Sequence, residues 1–542
     1  MRHGGQILVD QLKIQGVKRV FCVPGESYLA ALDGLYESGI ETIIGRQEGG
    51  VAMMAEAHGK LTSKPGVAFV TRGPGATNAS AGVHIAFQDS TPMVLFVGQV
   101  ASDQRDREAF QEVDYRHMFG PLAKWVAEID RTDRIPEYVS RAFHVTVSGR
   151  PGPVVLALPE DMLSARVKVK DAKPCRPAKQ MVSHAIVSGI INRLKNAQDP
   201  FVIVGGGGWS QEAANHLGNF ASALGLPVGA SFRCQDYLDN RHPNYVGDVG
   251  IAPNPDLAER VKTSDCVLVL GARLGEMTTS GYSLFEIPNP SQSIIHVNSD
   301  PNEIGRVYRP QIGLACKASD FVAIAAKLTE GIEKQAPVVA KESYQNWQMP
   351  FTTPGDVKLE EVICHLRDVL PEDAIITNGA GNYAGWLHRY YSYKSYRTQL
   401  APTSGSMGYG LPAAVAAKLE HPKREVICLA GDGCFQMTMQ EFGTARQYGL
   451  KVIVIVVNNG VYGTIRMHQQ REYPGRPSGT TMVNPDFAAL AASYGCLGET
   501  ITKTEDFALV LERARKAKTS TLIELRTDPS AATPRTPALC ME

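Results

Sequence analysis

The chain has 542 residues, 44% of them hydrophobic, with 55 basic residues balanced by 55 acidic ones. That length exceeds what a single growing core supports and predicts about three domains, while the zero net charge excludes a field that would recruit nucleic acid or an anionic membrane and leaves a small molecule as the expected partner. Ten scattered cysteines without a CxxC or a His-rich cluster argue against a zinc site and a disulfide framework. No apolar run approaches the ~20 residues of a membrane span, and the N-terminus enters an amphipathic helical pattern directly, so a cytoplasmic protein is expected.

In chain order, short buried runs over residues 19–23, 42–44, 66–71, 93–97 and 154–158 alternate with helical patterns and predict a first α/β domain over 1–166. Within it Arg46-Gln47-Glu48-Gly49-Gly50 follows a strand and leads into a helix over 51–61. Taken alone, Glu48 reads as a helix-start charge favoured by the macrodipole. Residues 166–179 are polar, bear prolines and lack periodicity, as a linker does. A second α/β unit over 186–330 has expected strands at 201–204, 267–270 and 294–297. Its Gly205–Gly208 run reads first as a close strand-to-helix turn, with a nucleotide-binding loop as the alternative. A second polar stretch, 330–354, separates it from a third α/β unit over 355–528. The fold expected is therefore α/β, with three doubly wound parallel-sheet domains.

The third unit carries the most informative stretch. Two Val/Ile-rich strands are expected at 426–430 and 452–457, with an amphipathic helix from about 435 to 448 crossing between them. The first strand runs into Gly431-Asp432-Gly433 and the second into Asn458-Asn459-Gly460. Each is a common turn by itself. Ending two successive parallel strands, they suit a metal-diphosphate seat, because ligands in such sheets bind beyond the carboxyl ends of the strands. Mg²⁺ takes one or two carboxylates together with phosphate oxygens, so Asp432, the amide oxygen of Asn459 and a backbone carbonyl near Val461 would form the protein half-shell. No lysine follows the glycines as it would in a P-loop.

A GDG followed at this distance by NN resembles the diphosphate motif of thiamine diphosphate (ThDP) enzymes. Further runs extend the resemblance along essentially the whole chain to acetolactate synthase catalytic subunits. Thr71-Arg-Gly-Pro-Gly-Ala-Thr-Asn78, Asp89-Ser-Thr-Pro-Met93, Gly98-Gln99-Val100, Ala109-Phe-Gln-Glu112, Ser404-Gly-Ser-Met-Gly-Tyr-Gly-Leu-Pro412, Gln436-Met-Thr-Met-Gln-Glu441 and Asn484-Pro-Asp-Phe487 are each similar to family motifs.

The resemblance implies that Glu48 is the carboxyl group on the aminopyrimidine and that Met407 is the apolar wedge holding the two cofactor rings in a V. It further implies that Gly379, Asn382, Gly431, Gly433, Cys434, Asn459 and Tyr462 contact the cofactor, and that Gln99, Lys124 and His468 line the substrate pocket. Glu48, placed against a cofactor ring, is expected to be desolvated. The reaction implied is decarboxylation of a 2-keto acid such as pyruvate and transfer of the two-carbon unit to a second carbonyl compound. A 2-keto-acid decarboxylase, a 2-hydroxy-carbonyl lyase and a non-catalytic homologue are the alternatives. A homo-oligomer, a dimer of dimers, is implied, with Glu48 of one subunit serving cofactor held by another.

The chain also departs from the family. Thr464, Ile465 and His468 replace the residues of the acceptor pocket, Gly120 replaces an arginine, and Gly379-Ala-Gly-Asn-Tyr383 replaces GQHQM. Arg273-Leu-Gly-Glu-Met277 replaces RFDDR, which leaves FAD open and predicts weak or absent flavin.

Overall fold

The protein was analysed as a computed structural model that describes residues 1–178 and 180–535. Each of its three domains is built on a six-stranded sheet whose neighbours are all parallel, with helices on both faces. Strands such as Met93–Gln99, Pro153–Pro159 and Val426–Gly431 are buried along their entire length, which is why they read as continuous apolar runs and not as alternating ones.

The first sheet has the order Glu41–Ile44, Arg19–Cys22, Gly66–Val70, Met93–Gln99, Pro153–Pro159, Trp125–Glu128. The third repeats that order with Gln399–Leu400, Ile375–Asn378, Val426–Gly431, Ile453–Asn458, Thr521–Arg526 and Leu497–Ile501. The central sheet differs. Its order, Tyr245–Asp248, Val228–Ala230, Pro200–Val204, Cys266–Leu270, Ser293–Asn298, Ile312–Ala315, is that of dinucleotide-binding folds. In the central sheet the chain reverses its lateral direction once, and in the first and third it reverses after the second strand and again before the last; at the first of these reversals a crevice opens beyond the strand ends. The crevice of the third sheet lies between Ile375–Asn378 and Val426–Gly431, so the turns at Gly379 and at Gly431–Gly433 face each other across it.

Several expectations change. The helix expected over 435–448 is two short ones, Asp432–Gln436 and Glu441–Gln447. Between them Thr438 turns away to donate its hydroxyl to Gly408 O at 2.6 Å. The polar stretch 330–354 contains the helix Val338–Trp347, whose Tyr344 packs into the core of the central domain. The linker starts as a short strand, Arg166–Val167, paired antiparallel with Arg2–His3, and its Asp171 accepts from Arg2 and Gln11. Lys179 lies outside the described residues.

The first and third domains share one apolar cluster, centred on the helices Glu48–Thr62 and Gly410–Glu420. Polar contacts lock the same seam. Glu441, fully buried, accepts from the backbone N–H groups of Arg46 and Gln47 at 3.1 Å, directly before Glu48.

Candidate functional site

Asp432 begins the helix Asp432–Gln436 straight off the strand Val426–Gly431, and its carboxylate is 4% exposed. One oxygen accepts from Gly433 N at 2.9 Å, the other from Gly460 N at 2.9 Å and from Asn484 Nδ2 at 2.7 Å. Burial pushes the carboxyl group above the usual carboxylate range, against the opposing pull of those donors. Gly460 has φ +68°, a left-handed conformation that a side chain would strain, and this conformation aims its N–H at Asp432. Asn459 turns its amide oxygen onto Val461 N at 3.1 Å, and Val461 bridges to Thr481.

A layer behind the seat fixes it. Asn484 Nδ2 also donates to Asn458 Oδ1 at 2.8 Å, Gln436 holds Asn484 Oδ1 at 2.9 Å, and Asn458 Nδ2 donates to Glu524 at 2.7 Å. Glu524 is buried on the strand Thr521–Arg526 and escaped the sequence reading. Its one signal was a lone acid inside the apolar run Leu522-Ile523-Glu524-Leu525.

Across the crevice Gly379 is packed so closely that a Cβ would stand 2.4 Å from Cys434 Sγ. Cys434 Sγ accepts from Gly408 N at 3.2 Å and from Tyr383 OH at 3.3 Å, which draws the Gly379 turn, the Asp432 helix and the Met407 loop together. Met407 is half-buried and packs against the core of the third domain. Asn382 and Thr464 form a reciprocal pair, with Asn382 N donating to Thr464 Oγ1 at 3.1 Å and Thr464 Oγ1 donating to Asn382 Oδ1 at 2.9 Å. Tyr462 packs over Gly433, and both line a recess of about 380 Å³ with Gln436, Met437, Met482 and Val483.

These residues fit the diphosphate and the cation. A carboxylate held out of water by neutral donors needs a positive partner, and glycines remove side chains where backbone must meet an anion. Among the described residues no group of three or more His, Cys, Asp or Glu side chains is placed to hold a metal ion, so a cation at Asp432 would take one protein carboxylate and leave coordination positions to phosphate.

The remaining expected site residues are placed differently. Glu48 heads the helix Glu48–Thr62, half-buried, and its Oε2 accepts from Asn78 Nδ2 at 3.0 Å. Among the described residues no hydrogen bond joins it to the Asp432 seat of its own chain. Gln99, at the end of its strand, is 3% exposed, and its amide is spent on Val113 O and Val100 N, both at 2.9 Å. The Lys124 amine donates to Val145 O at 2.5 Å and Ser148 O at 2.6 Å, capping the helix Ile135–Val147, and burial draws its pKa down to about 8. Within the chain, Gln99 and Lys124 thus serve backbone carbonyls and N–H groups. His468 is exposed on the helix Gly463–Glu472 and makes no hydrogen bond or ion pair among the described residues.

A separate cavity of about 630 Å³ opens at the crevice of the central sheet, lined by Gly206–Gly208, Arg233, Arg273 and residues 275–278. Both readings of the glycine run find support there. A Cβ on Gly206 would meet Gly271 O at 2.0 Å, the mark of a close turn, and the run also lines the cavity. Arg273 is held by Glu303 at 3.3 Å and by the carbonyl and side chain of Gln88.

Models of three thiamine pyrophosphate enzyme domains match the chain: the N-terminal TPP binding domain over residues 2–118, the central domain over 187–324 and the C-terminal TPP binding domain over 379–525. The chain belongs to the thiamine pyrophosphate enzymes. The enzyme is 30% identical to the acetolactate synthase isozyme 2 large subunit of Escherichia coli, covering 94% of this chain and 93% of that protein. It is 31% identical to the acetolactate synthase large subunits of Haemophilus influenzae, covering 97% and 95%, and of Corynebacterium glutamicum, covering 95% and 84%. It is thus a ThDP-dependent enzyme, related to acetolactate synthase large subunits. No helix among the described residues is long and apolar enough to cross a membrane.

Proposed function

We propose that the enzyme uses ThDP and Mg²⁺ to decarboxylate a 2-keto acid, pyruvate in the first instance, and to join the two-carbon unit to a second carbonyl compound. The observation that carries this reading is the buried Asp432 carboxylate at the crevice of the third sheet, facing the Gly379 turn and the Met407 loop. Asp432, Asn459 and the carbonyl of Val461 hold the cation, and the backbone of Gly431–Cys434 and Gly379 meets the diphosphate. When bound, ThDP supplies an electron sink for the pair released with CO₂.

The chain's own groups do the rest. Met407 supplies an adaptable apolar support. Glu48 exchanges a proton with the aminopyrimidine, a positioned acid-base role. Among the described residues Glu48 makes no hydrogen bond to the seat of its own chain, which supports a complete site built by two chains in a homo-oligomer, Glu48 from one and Asp432 from its partner. His468 is the pocket residue whose side chain is free to meet substrate. Flavin is weak or absent, since Arg273 in the central cavity is already engaged by Glu303 and Gln88.

Subunit mixing tests this. Glu48→Gln and Asp432→Ala chains, each inactive alone, regain about a quarter of wild-type activity when reassembled together, because half the dimers are mixed and each mixed dimer has one intact site. No recovery contradicts a shared site.

A second reading is a 2-keto-acid decarboxylase or a 2-hydroxy-carbonyl lyase. It is favoured by the placement of Lys124 and Gln99, whose polar ends are spent on backbone and are not offered to an acceptor. A mass-spectrometric screen of pyruvate against aldehydes and keto acids separates the two: joined products support the carboligase and free aldehyde supports the alternative.

A further inference from the structure

Arg233 lies in the turn after the strand Val228–Ala230 of the central domain and is 8% exposed. Its Nη1 donates to Pro402 O at 2.6 Å and its Nη2 to Gly379 O at 2.8 Å. Those two carbonyls belong to the two loops of the third domain that flank the cofactor seat, the Gly379 turn and the 401–408 loop that carries Met407.

Three features set this arginine apart from an ordinary packing residue. Among the described residues no carboxylate pairs with it, and its Nε is buried without a hydrogen bond. Instead it sits over the ring of Phe232 at 4.9 Å, which meets His388 edge-on at 5.7 Å. That imidazole is kept neutral, its pKa drawn down to about 3 by burial and then by the Arg233 charge. Finally, Arg233 has φ +61°, a left-handed conformation that is uncommon and strained for a residue with a side chain.

A buried cation with no ion-pair partner is costly, since the nearby Asp89 carboxylate acts on Arg233 only at a distance and is itself paired with Lys60, and neutral amides would satisfy two carbonyls without that cost. What an amide lacks is a planar, fixed fork whose two donors span two acceptors at a set separation. The 401–408 loop is also gripped from the first domain, where Lys60 Nζ donates to Ala401 O at 3.0 Å and Asp89 accepts from Thr403 N at 2.8 Å, and at its far end within the third domain, where Gly408 meets Cys434 and Thr438. To the Cys434 contacts that join the Gly408 end of that loop to the Gly379 turn, Arg233 adds a second link at the Pro402 end, made from the central domain.

We propose that Arg233 is a positioning residue for the cofactor: from the central domain its guanidinium fixes the spacing between the Gly379 turn at the diphosphate end and the 401–408 loop that presents Met407 at the ring end. This rests on the ThDP reading of the seat. It adds that the central domain, beyond contributing a cavity of its own, sets cofactor geometry.

The test uses the full chain carrying Arg233→Lys or Arg233→Met. Without cofactor, amide hydrogen exchange is compared with wild type. The ammonium of lysine reaches one carbonyl only, so amides of 379–383 and 402–408 are expected to exchange about tenfold faster while the strands Val426–Gly431 and Ile453–Asn458 stay protected. With ThDP and Mg²⁺, the dissociation constant is expected to move by no more than about threefold, while C2-proton exchange of bound ThDP slows by about 10- to 100-fold, the signature of lost positioning. Free guanidinium is expected to restore part of that rate in Arg233→Ala.

Uniformly faster exchange across the third domain, unchanged loops, or failure of both variants to fold would make Arg233 a plain packing residue and overturn the proposal. If wild type itself does not bind ThDP, the reading of the seat fails, and loop exchange in the cofactor-free protein still decides whether Arg233 is a strut.

Discussion

Replacing Asp432 by alanine strips the acceptor from Gly433 N and from one N–H of Asn484 Nδ2 and leaves Gly460 N only its longer bond to Asn458, all three having been within 2.9 Å of a carboxylate that is almost fully buried. At about 1 to 3 kcal/mol for each buried donor left unpaired, less what a water entering the vacated space returns, the cofactor-free protein is expected to lose about 3 kcal/mol. The larger loss is in binding. Without the carboxylate the diphosphate has no bridged cation, and no lysine follows the glycines to replace it. Wild type with ThDP·Mg²⁺ at about a hundred times its dissociation constant gains about 2.7 kcal/mol of stability, and the variant at the same concentration is expected to gain none. Asn484→Ala serves as the graded control. It keeps the carboxylate and loses one of its donors, so ThDP·Mg²⁺ binding should weaken by about tenfold, as for other residues that orient a metal ligand. Thermal unfolding and calorimetric titration of the three proteins decide it. An Asp432→Ala protein stabilised by ThDP·Mg²⁺ as strongly as wild type would refute the assignment of the seat.

Glu48→Gln keeps the bond from Asn78 but cannot relay a proton, so C2-proton exchange of bound ThDP should slow by about 10² to 10⁴ while ThDP affinity changes little; quenched NMR reads it, and equal rates would reduce Glu48 to a helix-start charge. Lys124→Met removes the cap on the helix Ile135–Val147 and should cost about 1 kcal/mol of stability without altering ThDP affinity, whereas unchanged stability with lost turnover would restore Lys124 to the pocket. Asp236, buried and accepting from Thr398 N and Gln399 N, has its carboxyl pKa pushed from 3.8 up to about 6 by burial. The folded value lies above the unfolded one, so its contribution to stability is full below about pH 4 and lost as pH rises through 6. Asp236→Asn should therefore gain on wild type between pH 4 and 7 by up to about 3 kcal/mol, measured by denaturation at each pH; a gap independent of pH would contradict this. Purified enzyme should carry no stoichiometric flavin absorbance, and a yellow preparation would show the central cavity to be a flavin site.

The parallel sheets were legible because strands buried on both faces have to be apolar throughout, and the turns of the candidate seat were legible because glycines, one acid and one amide stand at the ends of two such strands. The edge strands Leu497–Ile501 and Ile312–Ala315 were not, since they bury too little to mark the sequence, and Gln399–Leu400, though buried, is only two residues long. The break in the expected 435–448 helix was also invisible, because it depends on Thr438 finding Gly408 in space. Glu524, Glu441 and Arg233 act through partners 66, 395 and 146 residues away along the chain, and no local pattern records such pairs. Gln99 and Lys124 show the converse: a motif can be present while its polar ends are occupied by backbone.

Carboligation by a ThDP·Mg²⁺ enzyme is read out with pyruvate labelled with carbon-13 at C2, supplied as the sole substrate and followed by NMR together with released CO₂. Two pyruvates consumed for each CO₂, with the label on both sides of a new carbon–carbon bond and no turnover when ThDP is omitted, is the predicted result. One free acetaldehyde for each CO₂, or consumption that does not depend on ThDP, would contradict it.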